Sequence, residues 1–246
     1  MAKGFFTLGV KFELPHPPIP QRTLLLLCKV IRKAWQLLRE TPIEGFSLQS
    51  AHEDAITLHL VWILENRLRK NGEVDGFNCE LFGRVVREPT ITNYDNEHPD
   101  KMPDIVFGLR REKRPILSEE DGLFVECKPI DSKHSIFSCY CKKGLIRFVN
   151  GDYAWAMQDA LMVGYVKGGY SYDKLASVLD DIERSREMNT TNHSLLKQRE
   201  IYCSNHSRDF QWLESHGKAC PIAVSHLWLC VEAPVELSRK PRVLRA

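Results

Sequence analysis

Two short segments combine residue types suited to phosphodiester chemistry: Pro103-Asp104-Ile105-Val106-Phe107 and, further on, Phe124-Val125-Glu126-Cys127-Lys128. Side chains alternate faces along a strand, so Glu126 and Lys128 point one way and Cys127 the other. An antiparallel pairing of the two segments brings Asp104 close to Glu126. Two carboxylates converging on one point repel each other unless a cation lies between them. Hard oxygen donors with no histidine nearby favour Mg²⁺, or Mn²⁺, over Zn²⁺. Such a metal polarises a phosphoryl oxygen and lowers the pKa of an attacking water. An ammonium two residues along the same strand orients that water or stabilises the developing charge, and acts as a base only if its pKa is lowered. The plain alternative is a surface aspartate at a strand start and a solvated Glu/Lys pair on an exposed strand face.

Elements must position these groups. Residues 104–109 and 123–129 are apolar, strand-like runs, and the charged stretch 110–122 reads as a hairpin loop between them. Residues 5–14 look extended, and Pro15, Pro17, Pro18 and Pro20 stop them. Leu24, Leu27, Cys28, Ile31, Trp35 and Leu38 recur at helical spacing and predict a helix over 21–40, broken by Pro42 and Gly45. Ile56, Leu60, Ile63, Leu64 and Leu68 predict a second helix from about 50 to 71, ended by Asn71-Gly72. A strand is expected at 82–87, helices at 152–166 and 172–188, and strands at 200–203 and 222–231. With no repeat and no linker-like segment, the chain reads as one α/β domain over 1–246. Its predicted architecture is a mixed sheet flanked by helices, with an N-terminal strand and helix (1–49), a motif core (50–166) and a basic tail (235–246).

Pro103-Asp104 followed by Glu126-Cys127-Lys128 resembles the PD-(D/E)xK, or restriction-endonuclease-like, nuclease superfamily. The resemblance implies a central mixed sheet between helices, a divalent metal held by Asp104 and Glu126, and a catalytic Lys128. It also implies an acidic residue on a preceding helix that completes the metal site. Glu53, on the same face as Ile56, Leu60 and Leu64, is the candidate for catalysis and metal binding, ahead of Asp54. Ser50-x-x-Glu53 equally fits a capping box at a helix start. A helix after the ExK strand often adds a polar residue in this superfamily, which points to Gln158 as an auxiliary group. Lys143 and Arg147 are candidate nucleic-acid contacts, or else an ordinary solvated loop. Tyr153 and Trp155 read as packing residues. His206 and Arg208 read as ordinary hydrogen-bonding groups, and His226 as a satisfied core histidine.

The chain has 246 residues, with 34 Lys plus Arg against 32 Asp plus Glu, for a formal net charge of +2. That balance excludes a histone-like tail protein and an acidic disordered chain, but it allows a local basic groove. Basic residues bunch at 110–114, 142–147 and 239–245. No N-terminal apolar run approaches the roughly 20 residues of a membrane span, and no secretory cleavage pattern follows it. A cytoplasmic location is therefore expected, with the eight cysteines as thiols or metal ligands. Cys139-x-Cys141 with His134, Cys203 and His206 would be the material for a zinc-stabilised interaction module. There is no Walker A run and no GxGxxG, so the expected partners are a nucleic acid, DNA ahead of RNA, and a protein supplying ATPase, helicase or regulatory function. The leading expectation is a Mg²⁺-dependent nuclease, by analogy an effector of prokaryotic anti-phage defence and possible homodimer. The alternative is a non-cleaving nucleic-acid-binding or scaffold subunit of the same fold.

Overall fold

The computed structural model describes residues 13–41, 45–113, 117–196, 200–212 and 217–232. The basic tail and all but the last two residues of the expected 5–14 strand lie outside them. Pro20, lacking an N–H, sits where a helix needs none, and α1 (Gln21–Glu40) follows it. Its Leu27, Cys28, Ile31, Ala34, Trp35 and Leu38 are buried. The second helix begins later than expected, as α2 (Glu53–Ile63), and widens into a π-helical stretch over Leu64–Arg69. There Glu65 and Arg69 form a buried ion pair, and Glu65 also accepts the Val85 N–H at 2.9 Å.

Seven strands form one mixed sheet, β1 (Phe82–Arg87), β2 (Ile105–Leu109), β3 (Gly122–Ile130), β4 (Asp159–Val166), β5 (Thr190–Leu196), β6 (Ile201–His206) and β7 (Ile222–Cys230), in the order β1-β2-β3-β4-β7-β6-β5. β4 pairs in parallel with β3 and β7, and the other pairings are antiparallel. The helix expected over 152–166 is therefore corrected: its second half is β4, the central strand. All eight β4 residues are buried, and a parallel strand covered on both faces reads as a continuous apolar run with no alternation to mark it.

Helices cover both faces. α1 and α2 lie against the face carrying Cys127 and Tyr165: Trp35 stacks on Tyr165 with centroids 5.6 Å apart, and Thr57 shares a 2.9 Å hydrogen bond with the Tyr165 hydroxyl. The crossover from β3 to β4 is a π-helical segment, Ile136–Leu145, running into a single turn, α3 (Ile146–Val149). It covers the opposite face, which carries Glu126, Lys128, Met162 and His226. Gly144 lies so close that a Cβ there would stand 2.7 Å from Met162 and 3.2 Å from the Lys128 stem. The helix expected over 172–188 is two, α4 (Tyr172–Asp180) and α5 (Ile182–Glu187), broken where Asp181 caps α5. β5, which had no counterpart in the sequence expectations, is a polar edge strand with no buried residue. No helix among the described residues is long and apolar enough to cross a membrane.

Candidate active site

The site begins where β2 leaves β3. Their last pair at this end is Ile105 with Val125, so Asp104 stands beside Glu126 as β3 continues with only β4 at its side. Beyond that point the N–H and C=O of Cys127 have no strand partner on the β2 side. Buried backbone polar groups need partners, and charged side chains supply them: the Asp104 carboxylate accepts the Cys127 N–H at 2.6 Å, and the Lys128 ammonium donates to the Cys127 carbonyl at 2.7 Å.

Lys128 thereby curls back among three carboxylates. Its Nζ lies 2.8 Å from Glu53, 2.9 Å from Glu126 and 3.5 Å from Asp104. Glu53 opens α2 with His52 as N-cap and no side-chain cap, so the Ser50 capping box does not form. Its carboxylate turns to Lys128 instead. Asp54, one residue on, is exposed.

Electrostatics are tight here. Glu126 is fully buried; its Oε1 lies 2.9 Å from the Lys128 ammonium and 3.5 Å from Arg147, and its Oε2 has no partner among the described residues. Burial, then the charge of Asp104, push Glu126 up to about 8 despite those two cations. Burial likewise raises Glu53. Burial alone would lower Lys128, but the charges of Glu126, Asp104 and Glu53 outweigh it and hold the ammonium well above its ordinary range. Lys128 is thus a fixed cation and not a base. Three carboxyl groups thus crowd around two cations, and Glu126, the most enclosed of them, is the one that burial pushes towards its neutral form.

Arg147, in α3, is half-exposed and is anchored to the Tyr153 hydroxyl, over whose ring it lies at 5.4 Å. Lys143 is exposed on the same helical stretch. Gln158 lies elsewhere. With the expected helix replaced by β4, it immediately precedes that strand and donates to the His16 carbonyl at 2.8 Å. Glu126 pairs with Met162, so Gln158 stands about 13 Å back along β4. The described part of the basic bunch, residues 110–113, is also distant, at the opposite end of the β2–β3 hairpin. There Arg111 is taken up by Asp121 at 2.9 Å and by the Pro17 carbonyl at 2.7 Å.

A second polar cluster lies on the same sheet face. Glu126, Met162 and His226 are in register across β3, β4 and β7, so His226 is about 10 Å from Glu126. Tyr140, His226, Ser204 and His206 are all fully buried. His206 Nδ1 lies 2.8 Å from the Met188 carbonyl, so that nitrogen carries the proton and Nε2 accepts. The Ser204 hydroxyl then donates to His206 at 2.6 Å and accepts from His226 Nε2 at 2.8 Å. Tyr140 donates to His226 Nδ1 at 3.1 Å. Both histidines are neutral, with burial lowering His206 to about 4 and His226 to about 3.

Arg208 is equally internal, donating to the Cys220, Ala154 and Met157 carbonyls. The zinc arrangement does not assemble: Cys141 is buried, His206 belongs to the neutral chain, and no metal-holding group of His, Cys, Asp or Glu occurs among the described residues. That last finding also covers Glu53, Asp104 and Glu126, which meet at the Lys128 ammonium. The sequence pointed to Tyr153 only as a packing residue and did not single out Gly144; their placement beside the cluster comes from the fold. No family model matches the chain, and no curated protein or solved structure matches it either.

Proposed function

We propose that this protein is a metal-dependent nuclease of restriction-endonuclease-like architecture that hydrolyses phosphodiester bonds, DNA foremost. The observation that carries this reading is the convergence of Glu53, Asp104 and Glu126 on the Lys128 ammonium, with Glu126 fully enclosed and its Oε2 without a partner among the described residues. Clustered hard oxygen donors suit Mg²⁺ or Mn²⁺, which keep several water ligands and need only one or two carboxylates, and a bound cation would draw Glu126 back to its charged form. Asp104 and Glu126 would hold the ion, and Glu53 would hold it or one of its waters. Bound there, the metal supplies a polarised phosphoryl oxygen and a more acidic water. Lys128, permanently charged, stabilises negative charge developing on the phosphate, and Arg147 presents a second cation from the helical side.

The specific observation favouring a non-cleaving nucleic-acid-binding subunit is that Asp104 and Lys128 already satisfy Cys127 and each other. The two readings separate in one experiment. The protein is incubated with supercoiled, linear and single-stranded DNA, and with RNA, in Mg²⁺, Mn²⁺ or EDTA, with Asp104→Ala and Lys128→Ala as controls. The nuclease reading expects cleavage in metal, none in EDTA and none by either variant. Cleavage persisting in both variants would remove the site assignment, and binding without cleavage favours the subunit. A partner with ATPase or helicase activity, as in anti-phage defence, would supply any strand separation, since the chain carries no nucleotide-binding loop.

A further inference from the structure

We propose that Tyr153 is a positioning residue that sets the Arg147 guanidinium as the phosphate clamp of the site, an inference resting on the nuclease reading above. Tyr153 is buried, yet its hydroxyl lies at the edge of the charged cluster. It donates to the carbonyl of Met102, two residues before Asp104, at 2.8 Å, and accepts from Arg147. One phenol oxygen therefore ties the chain leading into Asp104 to the helix carrying Arg147. The same guanidinium nitrogen then stands 3.5 Å from Glu126, while the rest of the half-exposed guanidinium makes no hydrogen bond with a described residue. A planar fork held at one corner with its other N–H groups open is suited to bidentate capture of a phosphate.

The backbone enforces the arrangement. The N–H groups of Asp152 and Tyr153 both bond to the Arg147 carbonyl, at 2.9 and 3.3 Å, closing a tight turn around Gly151. Gly151 has φ +79°, and a Cβ there would stand 2.6 Å from Phe210 and 2.8 Å from Tyr94, so the turn admits no larger residue without rearrangement. Lys101 and Asp152 pair at 3.0 Å, fastening the turn a second time to the segment before Asp104. The Tyr153 ring packs on Phe148, centroids 6.0 Å apart, a contact that Tyr153→Phe preserves.

The test compares Tyr153→Phe, Arg147→Lys and the double variant. Single-turnover cleavage of a labelled DNA duplex is measured in Mg²⁺, and anisotropy binding of the same duplex in Ca²⁺ without cleavage. Thermal midpoints establish that each variant folds. The proposal expects Tyr153→Phe to lower the cleavage rate by about 10- to 100-fold. Arg147→Lys should match it, because an ammonium cannot use the fork, and the double variant should be no slower than either single one. Additive losses, or a silent Tyr153→Phe beside an impaired Arg147→Lys, would overturn the positioning role and leave the nuclease reading standing. A wild-type protein that binds but does not cleave transfers the test to affinity, where the same non-additive pattern supports the clamp and additivity overturns it. A wild-type protein that neither cleaves nor binds overturns both.

Discussion

Two polar clusters share one face of the sheet beneath one helical segment, and they solve burial in opposite ways. The cluster of Tyr140, His226, Ser204 and His206 runs as a single file of donors and acceptors that ends on a backbone carbonyl, with no charge. The cluster of Glu53, Asp104, Glu126 and Lys128 crowds titratable groups together, and one enclosed carboxyl oxygen of Glu126 has no partner among the described residues. Only Met162 stands between them in the row. A buried network that closes every bond holds a fold together, whereas one left open at considerable desolvation cost stores a capacity to bind. The difference separates the two clusters where burial and polarity alone do not, since both are buried and polar.

The comparison can be broken most decisively at its charged end. Asp104→Ala and Glu126→Ala are expected to lower single-turnover cleavage by about 100-fold or more while calorimetry finds them folded. A collapse of the fold in both would make this cluster as structural as its neighbour. The next effect is on pH. His206 and His226 have folded pKa values below the ordinary 6.5, so the unfolded chain binds more protons as pH falls below about 6.5. Stability is lost in that direction, at about 1.4 kcal/mol per pH unit for each histidine, down towards pH 4. Glu126, raised by burial, acts in the opposite sense, so the measurement is the urea stability of wild type minus that of His206→Gln at pH 7, 6 and 5. The gap should narrow as the pH falls, and a constant gap would mean the histidines are not neutral by burial.

A smaller effect comes from His226→Ala, which orphans Tyr140 and Ser204 together. It should cost about 2–4 kcal/mol of stability by urea unfolding with cleavage per folded molecule unchanged. Gly144→Ala sharpens the comparison from above, where the helix meets the charged row. Its Cβ would crowd Met162 and the Lys128 stem, costing about 1–3 kcal/mol and slowing cleavage. The smallest effect is expected for Lys143→Ala, which should only flatten the salt dependence of nucleic-acid binding by about one counterion.

Types and spacing were enough to bring Asp104, Glu126 and Lys128 together, because strand alternation and a hairpin are local rules. Glu53 was legible only through a resemblance, and its other local option, the capping box, lost to a buried ammonium from a distant strand. Gln158 stands apart from the cluster because the segment after 152 turns into a strand and not a helix: a strand buried on both faces shows the same apolar run as a buried helix. The π-helical crossover was illegible for a related reason. Its Tyr140 and Gly144 are fixed by what lies beneath them, His226 in one case and Met162 with Lys128 in the other, and neither neighbour is near in sequence. Tyr153 reads as packing and does pack on Phe148, while a glycine-dependent turn aims its hydroxyl at Arg147 and the Met102 carbonyl.

The sheet order has a consequence for assembly. β1, β2 and β3 pair with sequence neighbours, as do β5, β6 and β7, so each antiparallel half can form from nearby chain. β4 alone joins them, and its partner β7 begins only at Ile222. During synthesis every residue of the charged cluster emerges before that partner, so β4 waits as an uncovered apolar edge. Long-range parallel pairing is slow to form, and the last-closing seam of this protein is therefore its most buried strand.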